Sequence, residues 1–566
     1  MSTEKAMAEK GVNNLGKEVV GNCQGRVVGD FPPSLWGDLF LRYTPDDQLM
    51  QEYSKEIEVL KGKVKSMLTT SPTSCNNIVE TMELIDTIER LCLSYHFEDE
   101  IKDKLEKYFN LDVDYKNEAY DLHTVALHFR LFRAHGYHMS PDVFSKFKDD
   151  KGSFQEALKS KARGLLSLYE AAHLRIHGED ILDEALIFAT SNLKSATQII
   201  DSPLKEEVEH ALVQPLHLSI PRVDARKFIS IYEKRKQHYN ILLRFAKLDY
   251  NLLQHLHKKE LYEISRWWKE LDVPSTIPYA RDRVVECYFF SMGTYHEPQY
   301  SHCRVLLTKV IATLSILDDT YDSYGTTEEL NVITDAIQRW DITQIDHVPE
   351  YFKSFYKALL ELYEKFGEEL GARGQSYAIT YAKETLKELV RCYNVEAKWF
   401  NARCLPPFDR YLSNAIVTSG NYYLVVASLF GTKFATKENY EWLMTKPKVL
   451  VASCIIARVV DDAATYEVER DMRGHKATGI GCYTEDKEVS VEEAIDKFYE
   501  MAKDAWKDIN EELLKPSKHL RDVLIRILNL TRVVQVVYNG TQDGYTHPTR
   551  VLAPHIKSLL VNPIII

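Results

Sequence analysis

The sequence lacks the features of secreted and membrane proteins. Its apolar runs are short and are interrupted by charge, as at Arg458, so none is long enough to span a bilayer. The residues before Arg26 contain no apolar signal core, no arginine, and as many acids as bases. Such a start is not typical of a secretory signal or a transit peptide. We therefore expect a cytoplasmic protein without a membrane partner.

Cysteine pairs and an excess of positive charge are also missing. The 566 residues include nine cysteines, but no CxxC pair and no even cysteine spacing. This usage is typical of free or buried thiols in a reducing compartment. The net charge of −12 argues against nucleic acid as the main partner.

Strand-like alternation is scarce and no repeat of fixed period is present, whereas helical spacing continues almost without interruption from about residue 45, as in Leu60 and Val64. These patterns predict an all-α protein, and the length favours more than one domain. We expect a flexible arm over 1–30, a helical domain over 31–245 and a second helical domain over 246–566. No linker marks this boundary, which is placed there because every chemistry-bearing motif follows it.

Two histidine-containing stretches precede those motifs. The acidic stretch His177–Asp183 could hold a metal, but a helix start rich in acids is the favoured interpretation. His255 and His257 are two residues apart, so they do not share a helix face. We expect both of them at the surface.

Three aspartates follow the apolar run Val310–Leu314 without an intervening glycine or proline. Residues four apart on a helix share a face, so Asp318 and Asp322 point the same way and Asp319 lies to one side. Like charges that face inward are costly unless something positive meets them. Carboxylates and waters suit Mg2+ in particular. Taken alone, the stretch could equally be an acidic helix end turned to solvent.

A second acidic stretch favours the metal-site interpretation over a solvent-facing helix end. The apolar run Val449–Ala457 precedes Asp461, Thr465 and Glu469, which are spaced four and four and share one helical stripe. Two acidic ends of apolar helices indicate facing walls of one site. Because Mg2+ is often held by carboxylates together with substrate phosphates, the predicted substrate is phosphorylated.

Three arginines are candidate phosphate ligands. Arg281 and Arg283 flank Asp282, and Arg458 lies three residues before Asp461. Arginine binds phosphate oxygens in bidentate fashion and remains charged at any relevant pH. Seen alone, the first pair could also form a surface ion pair with Asp282.

Other residues could stabilise positive charge in a substrate. Thr418, Ser419 and the following glycine interrupt a helix-like run, as at a kink, and their dipoles could face a developing cation. Electron-rich rings attract cations, and the candidates near the motifs are Phe290, Tyr538 and Tyr545. A bend without a catalytic role, and aromatic residues of the core, remain the alternatives.

The chain from Arg26 onward closely resembles the plant terpene synthases, specifically the cytosolic sesquiterpene cyclases. Asp318–Asp322 looks like the family's DDxxD motif, Asp461–Glu469 like its (N/D)Dxx(S/T)xxxE motif and Arg281–Arg283 like its RxR motif. Arg26–Trp36 resembles R(R/P)x8W, with valine in place of the second arginine or proline. Asp543–His547 looks like the mobile loop that closes over the family's active site.

The resemblance implies a class I terpene synthase bundle C-terminal to a relic α-barrel domain that lacks the DxDD acid. It further implies a monomer that binds an isoprenyl diphosphate and three Mg2+ ions, or Mn2+ in their place. The implied metal ligands are Asp318, Asp322, Asp461, Thr465 and Glu469, with Glu396 as a further acid near the metal.

The implied reaction is the ionisation of farnesyl diphosphate, followed by cyclisation of the allylic cation and loss of a proton to the diphosphate or to a pocket residue. The implied catalytic residues are Asp318, Asp322, Arg281, Arg283, Arg458, Tyr538, Asp543 and Tyr545. The implied substrate-binding residues are Arg281, Asp318, Asp322, Arg458, Asp461, Phe290, Thr418 and Ser419. Phe290 stands where many relatives carry tryptophan, and Asn421 where they often carry tyrosine or an apolar residue. Both are expected to line the pocket, so the resemblance does not imply the product.

Three other functions stay open. A monoterpene synthase would use geranyl diphosphate. A chain-elongating prenyltransferase would usually carry two DDxxD copies in a single domain, whereas Thr465 and Glu469 stand in the second motif here. A non-catalytic helical scaffold would predict broken acidic motifs, and both motifs are complete.

Overall fold

The computed structural model describes residues 31–69, 75–111, 113–116, 119–468, 478–515, 521–538 and 543–566. The expected arm over 1–30 and the motif residue Glu469 lie outside these ranges. The described residues form helices and connecting loops. Within them there is no β-strand, only one isolated antiparallel bridge between Lys148 and Phe154. The all-α expectation is confirmed.

The first α-helices are α1 (Asp47–Thr69), α2 (Cys75–Arg90), α3 (Glu98–Phe109), α4 (Leu122–Ala134), α5 (Ala162–Ala172), α6 (Asp180–Ala196), α7 (Leu204–Val213), α8 (Pro221–Glu233) and α9 (Asn240–Glu270). The others are α10 (Val273–Thr276), α11 (Val284–Thr294), α12 (Ser301–Ser323), α13 (Thr327–Arg339), α14 (Glu350–Gly371), α15 (Ala378–Asn401), α16 (Phe408–Thr418), α17 (Asn421–Ala427), α18 (Lys437–Met444), α19 (Lys448–Val468), α20 (Gly479–Lys487), α21 (Val491–Leu514), α22 (Arg521–Val537) and α23 (Leu552–Leu560). Short 3-10 helices span Phe40–Arg42, Ser94–His96, Pro141–Phe147, Glu156–Ser160, Leu216–Leu218, Pro298–Tyr300 and Ile342–Asp346. We call α1–α8 the N-terminal region and α10–α22 the C-terminal region.

Helix α9 joins the two regions. It packs against α1 and α8 of the N-terminal region and against α11 and α12 of the C-terminal region. The boundary expected after residue 245 therefore falls inside a continuous helix, where no linker is present, and the boundary itself stays a prediction. Helix α23 returns to pack on α8 and α9, and Asn251 of α9 exchanges two hydrogen bonds with the main chain of Ile564.

The structure confirms the expectation for one histidine-containing stretch and contradicts part of the expectation for the other. Helix α6 begins at Asp180, so the favoured helix start is confirmed, and the preceding Glu179 forms a buried ion pair with Arg133. The surface expectation for His257 is wrong: its side chain is fully buried and its Nε2 lies 3.0 Å from the carbonyl oxygen of His296. Helices α1, α8, α11, α12 and α23 all pack against α9, so burial extends beyond the single stripe that the sequence spacing indicates.

The helices differ in how much of their surface is buried, as their sequences predict. Helix α1 buries one stripe, Ile57, Leu60, Val64 and Leu68, which is typical of an outer helix. Helix α12 is buried almost all round, because α11, α15 and α17 pack against it along with α9. Helix α19 lies against α16, α21 and α22. Among the described residues, no helix is both long and apolar enough to cross a membrane.

Candidate active site

A cavity of about 590 Å³ lies among α11, α12, α15, α16 and α19, and residues within 543–550, before α23, also line it. Almost all the residues singled out from the sequence line it: Arg281, Phe290, Asp318, Asp322, Thr418, Ser419, Arg458, Asp461, Thr465, Tyr538, Asp543 and Tyr545. These residues come from five stretches of the chain that are far apart in sequence. The tertiary structure thus brings the two acidic motifs, the helix break and the aromatic candidates together.

The first acidic wall is the end of α12. Asp318 and Asp322 line the cavity, one turn apart on the same face. Asp319 does not line it; its side chain is 1% exposed and forms a buried ion pair with Arg281. Ile311 and Leu314 lie two turns and one turn before Asp318 and continue the same wall as an apolar surface.

The second acidic wall is the end of α19. Asp461 and Thr465 line the cavity, and Arg458, one turn earlier, lies between the carboxylates of Asp461 and Asp462. The Thr465 hydroxyl donates to the main-chain oxygen of Asp461 at 2.9 Å, which leaves its oxygen able to accept or to bind a cation. Glu469, the last residue of this motif, is outside the described residues.

The carboxylates of the two walls influence one another. The pKa of Asp461 is raised to about 7, chiefly by burial and also by the nearby charges of Asp543, Asp462 and Asp318, while Arg458 opposes them. Burial likewise raises the pKa of Asp318, with Asp322 adding to the effect and Arg281 opposing it. Acids that raise one another's pKa across a cavity form a region of strong negative potential.

Arg281 connects three parts of this site. Its guanidinium donates to Asp318 Oδ2 at 2.6 Å and to the hydroxyl of Thr546 at 3.0 Å. Its main-chain N–H donates to Asp319 Oδ2 at 2.7 Å. The rings of Phe31 and Tyr545 each lie 5.1 Å from the guanidinium carbon. Arg281 therefore stands at the cavity beside the first acidic wall, as expected of a phosphate ligand.

Arg283 differs from its neighbour, and the expectation for it needs correction. Its side chain is 1% exposed and does not line the cavity. Its guanidinium donates to the carbonyl oxygens of Tyr545, Thr546, Asp282 and Pro32. Residue 283 precedes the first residue of α11, so helical periodicity does not fix the direction of its side chain. The structure thus places Arg281, and not Arg283, in the wall of the cavity.

The predicted helix break is present. Helix α16 ends at Thr418 and α17 starts at Asn421, with Gly420 between them at φ +72°, a conformation that favours glycine. Thr418 and Ser419 line the cavity. The expectation that Asn421 also lines it is wrong: its side chain is 2% exposed, and its Nδ2 donates to Ser453 Oγ of α19 at 2.6 Å.

The aromatic candidates line the cavity next to the loop after α22. Phe290 meets Tyr545 edge to face, with ring centroids 5.9 Å apart and an interplanar angle of 83°. The Tyr545 hydroxyl donates to Ser315 Oγ at 2.7 Å, and Asp543 Oδ1 accepts the main-chain N–H groups of Tyr545 and Thr546 at 2.9 Å each. Asp543 therefore shapes the loop that holds Tyr545 in the wall.

Sequence reasoning missed three tyrosines that line the cavity, Tyr321, Tyr393 and Tyr411. Tyr411 of α16 donates to the carboxylate of Asp462 at 3.0 Å, and no spacing in the sequence relates residues 51 positions apart. Tyr393 of α15 lies next to Asp318. It is three residues before Glu396, which also lines the cavity and accepts the Thr418 hydroxyl at 2.6 Å. The i, i+3 relation to Glu396 was the available signal for Tyr393.

The residues present fit a hard divalent cation by donor type. Asp318, Asp322, Asp461 and Thr465 offer only oxygen atoms, which Mg2+ prefers. Arg281 and Arg458 supply only part of the positive charge that these carboxylates need, because each is shared with a neighbouring aspartate. Over the described ranges, no three acidic, histidine or cysteine side chains are close enough together to hold one ion. The fit therefore rests on the chemistry of the two walls.

Two family models match the chain: "Terpene synthase, N-terminal domain" over residues 35–212 and "Terpene synthase family, metal binding domain" over 269–508. Both matches agree with two helical domains, the second of which carries the acidic motifs.

Among curated relatives, a germacrene A synthase of Lavandula pedunculata subsp. lusitanica is 58% identical over 540 residues, covering 95% of this chain and 98% of the relative. A (-)-5-epieremophilene synthase of Salvia miltiorrhiza is 56% identical over 539 residues, with the same coverage of both chains.

Solved structures agree with this assignment. A limonene synthase with 2-fluorolinalyl diphosphate superposes with a TM-score of 0.87 at 31% identity, covering 95% of this chain and all of that one. The isoprene synthase of grey poplar (Populus x canescens), in complex with three Mg2+ ions and dimethylallyl-S-thiolodiphosphate, gives a TM-score of 0.84 at 33% identity and covers 92% of this chain and 98% of its own. On the sequence, the fold and the two acidic walls together, this chain belongs to the terpene synthase family.

Proposed function

We propose that this protein is a Mg2+-dependent sesquiterpene synthase, a lyase that ionises farnesyl diphosphate, cyclises the resulting cation and releases diphosphate. The observation that carries the proposal is the division of one cavity into an acidic end and an apolar part. Asp318, Asp322 and Asp461 stand at the acidic end, and Phe290 and Leu314 belong to the apolar part. The germacrene A and epieremophilene synthase relatives support a C15 substrate.

The acidic end would hold the diphosphate. We propose that Asp318, Asp322, Asp461, Thr465 and Glu469 hold three Mg2+ ions, the number present in the isoprene synthase complex. Bound there, Mg2+ would neutralise the diphosphate and act as a Lewis acid on the departing oxygen. Arg281 and Arg458 reach the same end of the cavity and would bind diphosphate oxygens in bidentate fashion. Because charge separation starts the reaction, no general acid is needed to begin it.

The apolar part would shape the cation. Phe290 and the ring of Tyr545 line it, and an aromatic face stabilises a nearby cation electrostatically. Walls formed by Ile311 and Leu314 exclude water, which would otherwise trap the cation early. The cavity of about 590 Å³ suits a small-molecule site. The departing diphosphate or a residue of the lining would take the last proton.

Product analysis tests the proposal directly. Purified protein with Mg2+ and farnesyl diphosphate should release diphosphate and yield sesquiterpenes detectable by gas chromatography–mass spectrometry, and chelation with EDTA should abolish both. In competition, farnesyl diphosphate should be consumed before geranyl diphosphate. A preference for geranyl diphosphate would instead indicate a monoterpene synthase, and a longer prenyl diphosphate formed with isopentenyl diphosphate would indicate a prenyltransferase.

We also propose that the enzyme works as a monomer in the cytosol. One chain provides every described wall of the cavity, so a second subunit is not needed to complete the site. Light scattering of the purified protein should give the mass of a single 65.5 kDa chain. A fluorescent fusion that accumulates in plastids would contradict the compartment.

A further inference from the structure

Two segments distant in sequence lie side by side where α11 begins. One is the N-terminal stretch Phe31–Trp36, and the other is the loop residues Tyr545 and Thr546, which line the cavity. Phe31 lies over the guanidinium of Arg281, and the indole N–H of Trp36 donates to Glu286 of α11 at 2.8 Å. Both segments are therefore attached to the same short part of the chain.

Arg281 contacts both segments through the Phe31 ring and the Thr546 hydroxyl, whereas Arg283 hydrogen-bonds to the main chain of both. The Nη2 of Arg283 donates to Pro32 O at 2.8 Å and to Thr546 O at 2.9 Å, and its Nε donates to Tyr545 O at 3.1 Å. Its Nη1 donates to Asp282 O at 2.9 Å. The acceptors are all main-chain carbonyls, so this contact depends on the fork of the guanidinium and is independent of the side chains at the other positions.

This arrangement argues against a phosphate-binding role for Arg283. Its side chain is 1% exposed and is absent from the cavity lining, whereas Arg281 lines the cavity. To reach a phosphate, Arg283 would have to give up carbonyl oxygens of Pro32, Tyr545 and Thr546, which would lose their donors in a buried place. Leaving buried acceptors unpaired is costly, so the observed arrangement favours a holding role.

We propose that Arg283 is a positioning residue: it fastens Pro32 and the Tyr545–Thr546 loop to the start of α11 and so fixes the part of the cavity wall that excludes water from the cation. It acts through Tyr545 and Thr546 and does not bind the diphosphate. The inference rests on the proposed function for its catalytic consequences, but the attachment itself can be tested without a substrate.

The informative variants are Arg283→Lys and Arg281→Lys. Lysine keeps the charge and can still bind phosphate as a point charge, but it cannot reproduce a planar fork that serves several carbonyls. Arg222→Lys is the matched control, because Arg222 is equally buried and donates to the carbonyl oxygen of Tyr250 at 2.6 Å, away from the cavity. It shows what the loss of a buried guanidinium does by itself.

The first measurement is limited proteolysis without substrate. Arg283→Lys should be cut faster than wild type near Pro32 and near Tyr545, whereas Arg222→Lys should show wild-type rates at both places. Unchanged cleavage at both segments in Arg283→Lys, and also in Arg283→Ala, would overturn the proposal. Because this measurement needs no substrate, its result is independent of whether farnesyl diphosphate is turned over.

The second measurement compares inorganic diphosphate affinity with the product profile. In the presence of Mg2+, inhibition by inorganic diphosphate should weaken about tenfold or more in Arg281→Lys but less than about threefold in Arg283→Lys. Arg283→Lys should instead raise the share of hydroxylated products severalfold, because water reaches the cation. Equal loss of diphosphate affinity in the two variants would make Arg283 a diphosphate ligand and overturn the proposal. If wild type forms no sesquiterpene, the proposed function fails, and the proteolysis result still decides the attachment.

Discussion

Two clusters of buried acidic side chains, one in each region of this molecule, differ in how their charge is compensated. In the N-terminal region Asp86 is paired with Arg130; although burial alone would raise its pKa, Arg130 and Arg90 hold the pKa of Asp86 below its usual value. In the C-terminal region burial and neighbouring acids raise the pKa of Asp461 to about 7. One arrangement satisfies its charges internally, and the other leaves a negative potential directed into a cavity.

The difference shows where a ligand is needed. Glu179 accepts two hydrogen bonds from Arg133, at 2.5 and 2.6 Å, and one from the main-chain N–H of Ile176. Glu207 is held in a similar way by the fork of Arg235. Such groups have no capacity left for a substrate. Asp318 and Asp461 each share an arginine with a neighbouring acid, so the acids outnumber the arginines in the C-terminal site. A divalent cation would correct that imbalance.

The largest expected effect is on the stability of the N-terminal region. Glu179→Gln leaves the buried charge of Arg133 without its carboxylate, and breaking a buried pair in this way costs about 3–5 kcal/mol. Thermal denaturation should therefore begin at a lower temperature, while the product profile of the remaining folded enzyme stays that of wild type. A changed product profile would show that this pair also supports the cavity, and the contrast between the regions would be lost.

The next effect is on turnover in the C-terminal region. Asp318→Asn and Asp322→Asn should each lower kcat about 10²-fold or more, since each removes one charge from the acidic wall. Asp319→Asn should lower kcat less, because Asp319 faces Arg281 and not the cavity. Steady-state kinetics with farnesyl diphosphate and Mg2+ measure this order. If Asp319→Asn were the most damaging of the three, the assignment of helix faces would be wrong.

A smaller effect is expected on product choice at Phe290. Indole stabilises a nearby cation more than phenyl does, by about 0.5–1 kcal/mol, and competing channels that differ by about 1.4 kcal/mol differ tenfold in flux. Phe290→Trp should redistribute products while diphosphate release falls much less. Phe290→Leu, which keeps the volume only roughly and loses the ring, should favour acyclic and monocyclic products. Gas chromatography–mass spectrometry alongside a diphosphate-release assay measures both, and an unchanged profile in both variants would place Phe290 in the structural core.

The smallest effect is expected at the surface. Lys448 pairs with Asp508 and Glu511, and its side chain is 49% exposed. Exposed pairs contribute at most about 1 kcal/mol, so Lys448→Gln should leave the denaturation temperature and kcat close to wild type. A large loss of stability would mean that ion pairs outside the buried networks also hold the C-terminal region together.

Much of the site followed from local spacing in the sequence. Asp318 and Asp322 are on one helix face because they are four residues apart on α12, and the same reasoning placed Asp461 and Thr465 on one face of α19. The break at Gly420 followed from its position between hydroxyl residues and an apolar run. Within a helix, the repeat of 3.6 residues fixes the relative directions of side chains, so a motif determines its own geometry.

Residues outside that periodicity were decided by the tertiary structure. Arg281 and Arg283 both precede α11. Packing against segments about 250 residues away in sequence places Arg281 at the cavity and pairs Arg283 with the carbonyl oxygens of Pro32 and Thr546. The Asn421 side chain does not reach the cavity because Ser453 of another helix accepts its amide hydrogen. The sequence by itself determined the helices, the two acidic walls and the chemistry they suit. The tertiary structure decided which polar groups reach the cavity, because donors and acceptors far apart in sequence compete for them.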